Sequence, residues 1–185
     1  MCERGKGKRE KGKGGRATRW GRLLLFTFHS SLLTSCGVYS FTGATIPEHL
    51  RTVAVPLAEV RAPGVVPGLD QALTDALVQR FADQTRLDLE PDEDAADAVV
   101  RAVVERYAIT PVAVTSDEVA SLNRVTVAVA VRYLDRVEDR ERLARTFTAS
   151  ADYDPAEGPA AEAEAVAALV AQLADEVFTA ATSDW

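Results

Sequence analysis

Apolar and polar residues alternate most strictly between Arg124 and Tyr133. Val125, Val127, Val129, Val131 and Tyr133 fall on one face, and Arg124, Thr126, Ala128, Ala130 and Arg132 on the other. A period of two over that length predicts a β-strand with one buried face. The charged run Asp135-Arg136-Val137-Glu138-Asp139-Arg140 predicts a hairpin loop, and 143–150, with Arg145-Thr146-Phe147-Thr148, predicts the returning strand. Upstream, 51–57 alternates and is β-branched, and Pro56 marks it as an edge strand. Turn signals follow at Pro63-Gly64 and Pro67-Gly68. Leu69, Leu73, Ala76, Leu77 and Phe81 then recur at helical spacing, which predicts an amphipathic helix over 69–84. Leu87 and Leu89 predict a short strand closed by the acidic turn 91–94. A last helix is predicted from about 160 to 182, with Val166, Leu169, Val170, Leu173, Val177, Phe178 and Ala181 in one stripe.

Residues 95–109 read two ways. Alanines and charges favour a helix. Yet Ala98, Val100, Ala102 and Val104 alternate against Arg101 and Glu105, as on a strand. With that segment taken as a strand, the order β-α-β-β-β-β-α predicts an α+β fold. Two helices pack on one face of a mostly antiparallel sheet of four to five strands, and the other face meets water or a partner.

The amino terminus is different in kind. A basic segment precedes the apolar run 23–33, which is too short to span a bilayer, since a spanning helix takes about 20 apolar residues. Small residues then lead into Leu33-Thr34-Ser35-Cys36. A basic region, an apolar core and a small-residue cleavage site form a secretory signal. Ending in cysteine, this one resembles the bacterial lipobox. The expectation is a leader over 1–35 that is removed, a Cys36 that carries lipid such as palmitate, a tether over 36–50 and a folded domain over 51–185. Each buried lipid methylene contributes about 0.8 kcal/mol, so several chains on one thiol hold firmly. Gly37, where an aspartate would retain a lipoprotein at the inner membrane, points to the outer membrane, facing the periplasm.

Charge sharpens this picture. All the lysines precede Cys36; from there on the chain carries 12 arginines against 26 acids, a net charge of −14. Nucleic-acid binding needs clustered cations, so it is excluded. An acidic, lysine-free, Ala/Val-rich chain fits adaptation to high salt, and equally a GC-rich genome. With Cys36 acylated and Cys2 removed, no disulfide remains. His49 is the sole histidine left, and its polar setting Pro47-Glu48-His49-Leu50 reads as an exposed loop. That leaves neither the several Cys and His ligands of a zinc site nor a histidine-centred nucleophile. No phosphate-cradling glycine loop is present. Asp152 and Asp154, flanking Tyr153, are the one acid–base pair a hydrolase would use, set against the plainer reading of a solvated turn. The expectation is a protein without cofactor, metal or catalytic group.

Several pieces, in order, resemble a known family. Cys36-Gly37-Val38-Tyr39-Ser40-Phe41-Thr42-Gly43-Ala44 is followed by Ile46-Pro47 and Val53-Ala54-Val55. Ile109-Thr110-Pro111-Val112-Ala113 and Leu122-Asn123-Arg124-Val125-Thr126-Val127 come midway. Ala151-Asp152-Tyr153-Asp154 and a helix ending near Trp185 complete the set. Together they are similar to LptE, the lipopolysaccharide-assembly lipoprotein, in its Bacteroidetes-like form. The resemblance implies two helices on a four-stranded sheet, which tips 97–107 toward strand. It implies a non-enzymatic plug and assembly partner of the LptD β-barrel, in contact with lipopolysaccharide on its way to the cell surface. The same signal and architecture also suit an auxiliary lipoprotein of another envelope transport complex. Lipopolysaccharide is anionic, so arginines on the outward strand face are the candidate contacts: Arg124, within the resembling Asn-Arg piece, and Arg132, from the alternation.

Overall fold

The computed structural model describes residues 46–112 and 122–183. The leader, Cys36 and most of the expected tether lie outside these residues. The elements in chain order are β1 (Thr52–Ala54), β2 (Glu59–Val60), α1 (Leu69–Gln84), β3 (Asp88–Leu89), β4 (Ala98–Val112), β5 (Leu122–Asp135), β6 (Arg140–Tyr153) and α2 (Pro159–Ser183). A short 3-10 turn, Pro155–Glu157, precedes α2. The α+β class holds, with both helices on one face of the sheet.

The sheet runs β3-β1-β4-β5-β6, with β2 lying along β4 beyond β1. Strands β4, β5 and β6 form a long antiparallel meander. The short strands β1, β2 and β3 join in parallel, which makes the six-stranded sheet mixed. The expectation of a mostly antiparallel sheet holds in the long meander; the strand β2 and the parallel edge add to the four to five strands expected. Two-residue strands carry no readable period, and parallel pairing here follows from the return of the chain through α1.

Segment 98–112 is a strand. Helix propensity loses because Ala98, Val100, Ala102 and Val104 are almost wholly buried beneath the helices, opposite Asp135, Tyr133, Val131 and Val129 of β5. Tertiary burial of an alternating face outweighs a few tenths of a kcal/mol of local preference per residue.

Helix α1 begins where Gly68 adopts φ 80°, a left-handed turn that side-chain-bearing residues avoid. It buries Leu69, Leu73, Leu77 and Phe81. Its one buried hydroxyl is satisfied twice: Thr74 donates to the Asp70 carbonyl and accepts from the Ala58 amide. Helix α2 is 25 residues long and apolar enough to cross a membrane, but its stripe from Val166 to Ala181 packs into the core, so it is a core helix of this fold. The Phe81 ring stands edge-on to Phe178 at 5.5 Å and 6.0 Å from Tyr133, joining helix, helix and sheet. Arg80 and Asp175 tie the two helices together on the outside at 2.6 Å.

Candidate functional site: the open face of the sheet

The face away from the helices is built from every second residue of the meander. Across it lie the rows Thr110–Arg124–Asp152, Ala108–Thr126–Ser150, Arg106–Ala128–Thr148, Val103–Ala130–Thr146 and Arg101–Arg132–Ala144. Its middle is a carpet of alanine, serine and threonine. Its ends carry ion pairs.

Both sequence-predicted arginines lie on this face and are exposed. Arg124 makes a bidentate contact with Asp152, its cross-strand neighbour, at 2.7 and 2.8 Å. That bond holds the Asp152 carboxyl below its ordinary range. Arg132 pairs with Glu141 at 2.9 Å, and Arg101 with Glu93 at 2.6 Å. The hydrolase reading of Asp152 and Asp154 finds no support in this geometry. Asp152 is committed to Arg124, and Asp154 caps the 3-10 turn by accepting from the Ala156 amide.

Sequence reasoning missed Arg106. Strict alternation from Ala98 would turn residue 106 toward the helices. A bulge intervenes: Val104 faces Val129 and Arg106 faces Ala128, so Glu105 is an extra residue. After it the parity switches. Arg106 emerges on the open face, and Tyr107 turns inward, where its hydroxyl donates to Glu162 of α2. Burial and that carboxylate raise the Tyr107 pKa. Tyr153 donates to the other Glu162 oxygen at 3.2 Å, so one carboxylate pins the start of α2 to two strands. Arg106, Glu105, Thr126, Ala128, Thr146 and Thr148 line a depression of about 330 Å³ on the open face.

A second polar cluster sits at the hairpin end of the sheet. Asp135, expected in a charged loop, has no exposed surface. Its carboxylate accepts from the Glu138 amide at 2.9 Å, from His49 Nε2 at 2.7 Å and from the Arg142 guanidinium at 2.7 Å. Burial pushes its pKa up, and the hydrogen bonds from Glu138, His49 and Arg142 together outweigh that and hold it below the ordinary value. The exposed-loop reading of His49 is therefore corrected: its side chain is 30% exposed and bonded to a residue 86 positions away. The segment around it is docked too, since Ile46 and Leu50 are buried in the core and Arg86 donates to the Ile46 and Pro47 carbonyls. His49, Asp135 and Glu138 place donor atoms within 4.8 Å of one another, the spacing of a metal site. A cation fits there poorly, because Arg142 already pairs with both carboxylates, at 2.7 and 2.6 Å.

Comparison with known proteins completes the description. No curated protein matches the sequence. Among solved structures, XCC0632 from Xanthomonas campestris superposes with a TM-score of 0.52 at 16% identity, covering 75% of this chain and 91% of that one. The CT253 protein of Chlamydia trachomatis gives a TM-score of 0.49 at 13% identity, covering 71% and 98%. A minor lipoprotein from Acinetobacter baumannii gives 0.42 at 15% identity, covering 70% and 90%. At such identities the first likeness concerns the fold alone. The family model described as "LptE: Lipopolysaccharide-assembly" matches residues 50–181, nearly all of the described residues. The chain belongs to the LptE, lipopolysaccharide-assembly, family.

Proposed function

We propose that this protein is an outer-membrane lipoprotein, anchored through Cys36, that acts as plug and assembly partner of an LptD-like β-barrel in lipopolysaccharide transport to the cell surface. Family membership over 50–181 is the observation that carries this reading. The structure is consistent with a support rather than a catalyst. The acidic pair that could serve as acid and base is spent on an ion pair and a cap. The open face offers an extended strand surface rich in small residues, which can lie closely against other strands. Arg124 and Arg132, proposed as lipopolysaccharide contacts, contribute by exchanging their carboxylate partners for anionic groups of the lipid.

Affinity capture from gently solubilised outer membranes tests the reading. A large β-barrel protein is expected among the recovered partners, and a partner set drawn from inner-membrane or soluble periplasmic complexes would overturn it. The anchor has its own test. Cys36→Ala should accumulate as an uncleaved precursor that takes up no labelled palmitate; label in that variant would place the lipid elsewhere.

A further inference from the structure

The open face holds one arginine that meets no carboxylate among the described residues. Arg101, Arg124 and Arg132 each meet a carboxylate. Arg106 lies among them, exposed, with no ion pair or hydrogen bond from its guanidinium among the described residues. Arg51 and Arg140 likewise make no guanidinium ion pair among the described residues, but neither lines a depression on this face. The depression beside it is lined by the hydroxyl-bearing Thr126, Thr146 and Thr148, and its volume of about 330 Å³ falls within the range of small-molecule sites. Glu105, an acid, also lines the depression; Arg61 is near enough to feel it, but its guanidinium is bidentate to Glu59. The bulge that inserts Glu105 is what aims Arg106 outward, and bulges are a recurrent means of redirecting a functional side chain.

We propose that the Arg106 depression is an anion-binding subsite, in which the guanidinium takes a phosphate carried on a sugar headgroup and the threonine hydroxyls bond the neighbouring sugar oxygens. The planar fork of arginine matches two phosphate oxygens, and charge-assisted bonds of this kind are about twice as strong as neutral ones. This inference rests on the reading that the protein handles lipopolysaccharide, and it moves the primary contact from Arg124 and Arg132, which are already paired, to Arg106.

The test uses the detergent-solubilised full chain. Three probes are compared: lipopolysaccharide, the same material with its phosphates removed, and inorganic phosphate, with the Arg106 side-chain Nε–H resonance as the local readout. Arg106→Ala is expected to weaken binding of phosphorylated lipopolysaccharide roughly five- to tenfold, and Arg106→Lys by less, because a point charge keeps the attraction but loses the fork. Arg124→Ala and Arg132→Ala should each cost less than Arg106→Ala, and Arg80→Ala, on the helix side of the molecule, no more than about twofold. Dephosphorylated lipopolysaccharide should bind the unaltered protein as weakly as the phosphorylated form binds Arg106→Ala. Equal affinity of Arg106→Ala and the unaltered protein would overturn the proposal. An Arg106 resonance that responds to inorganic phosphate as fully as to the lipid would overturn the headgroup assignment. Loss of the barrel partner with Arg106-dependent phosphate binding intact would sink the transport reading and leave the subsite standing. The converse, capture of the barrel without phosphate-dependent binding, would remove the subsite alone.

Discussion

At the scale of single residues, Asp135 is the charge on which the hairpin end depends. It is buried and gathers bonds from Glu138, His49 and Arg142. Arg142 reaches it because a second bulge, where Tyr133 faces Leu143 and Leu134 faces Glu141, makes Arg142 the extra residue of β6. Removing one member of a buried ion cluster strands the others, so Asp135→Asn should lower unfolding free energy by about 2–4 kcal/mol, read from denaturant titration. The pH dependence has a definite sign. The folded pKa of Asp135 lies below its unfolded value, so its contribution is complete above the unfolded pKa, near 4, and is lost as pH falls below that through the folded pKa. The unaltered protein should therefore lose more stability than Asp135→Asn as pH drops from about 5 to 3. By contrast, Arg124→Ala should leave the thermal midpoint almost unmoved, since the Arg124–Asp152 pair is exposed. The Asp135–His49 contact was invisible in the sequence for a plain reason. Contact between positions 86 apart is set by how the chain is folded back, and neither residue type announces a distant partner.

Elements show a sharper division between what was legible and what was not. The first helix was expected over 69–84 and spans Leu69–Gln84, because its buried stripe and the left-handed Gly68 both mark it locally. Strand β5 was equally plain from alternation. Residues 95–109 read as helix or strand on their own pattern, the family resemblance tipped 97–107 toward strand, and strand β4 bears that out; its bulge could not be read at all, since an inserted residue is defined by the partner strand opposite. Phe81 tests the packing between elements. Phe81→Ala removes a fully buried ring that touches Phe178 and Tyr133, and should cost about 3–5 kcal/mol in unfolding free energy. Glu162 tests the docking of α2. Glu162→Ala removes the acceptor for Tyr107 and Tyr153, and amide exchange should accelerate over the first turns of α2 while the sheet amides keep their protection.

On the scale of the whole molecule, net charge sets behaviour. From Cys36 onward the chain carries a net charge of −14, so self-repulsion opposes the compact state at low ionic strength. Raising salt from about 0.01 to 0.15 M shortens the screening length from about 30 to 8 Å, and the thermal midpoint should rise. A midpoint that falls instead would mean that the surface ion pairs, such as Arg132–Glu141 and Arg101–Glu93, outweigh the repulsion. The same charge fits a protein that keeps its cations few and placed.

The sequence by itself determined the elements whose period is written along the chain: the alternating β5, the stripes of both helices, the turn at Gly68, and the family that these pieces resemble in order. It also determined the chemistry that is absent from its composition, with no lysine after Cys36 and a single histidine there. Only the tertiary structure decided that strand 98–112 carries a bulge at Glu105, that two-residue strands join the sheet in parallel, that Asp135 is buried beneath His49 and Arg142, and that Arg106 faces outward. The physical reason is common to all four. Each depends on which residue of a distant strand stands opposite, and register between strands is fixed by the collective burial of one face rather than by any local preference.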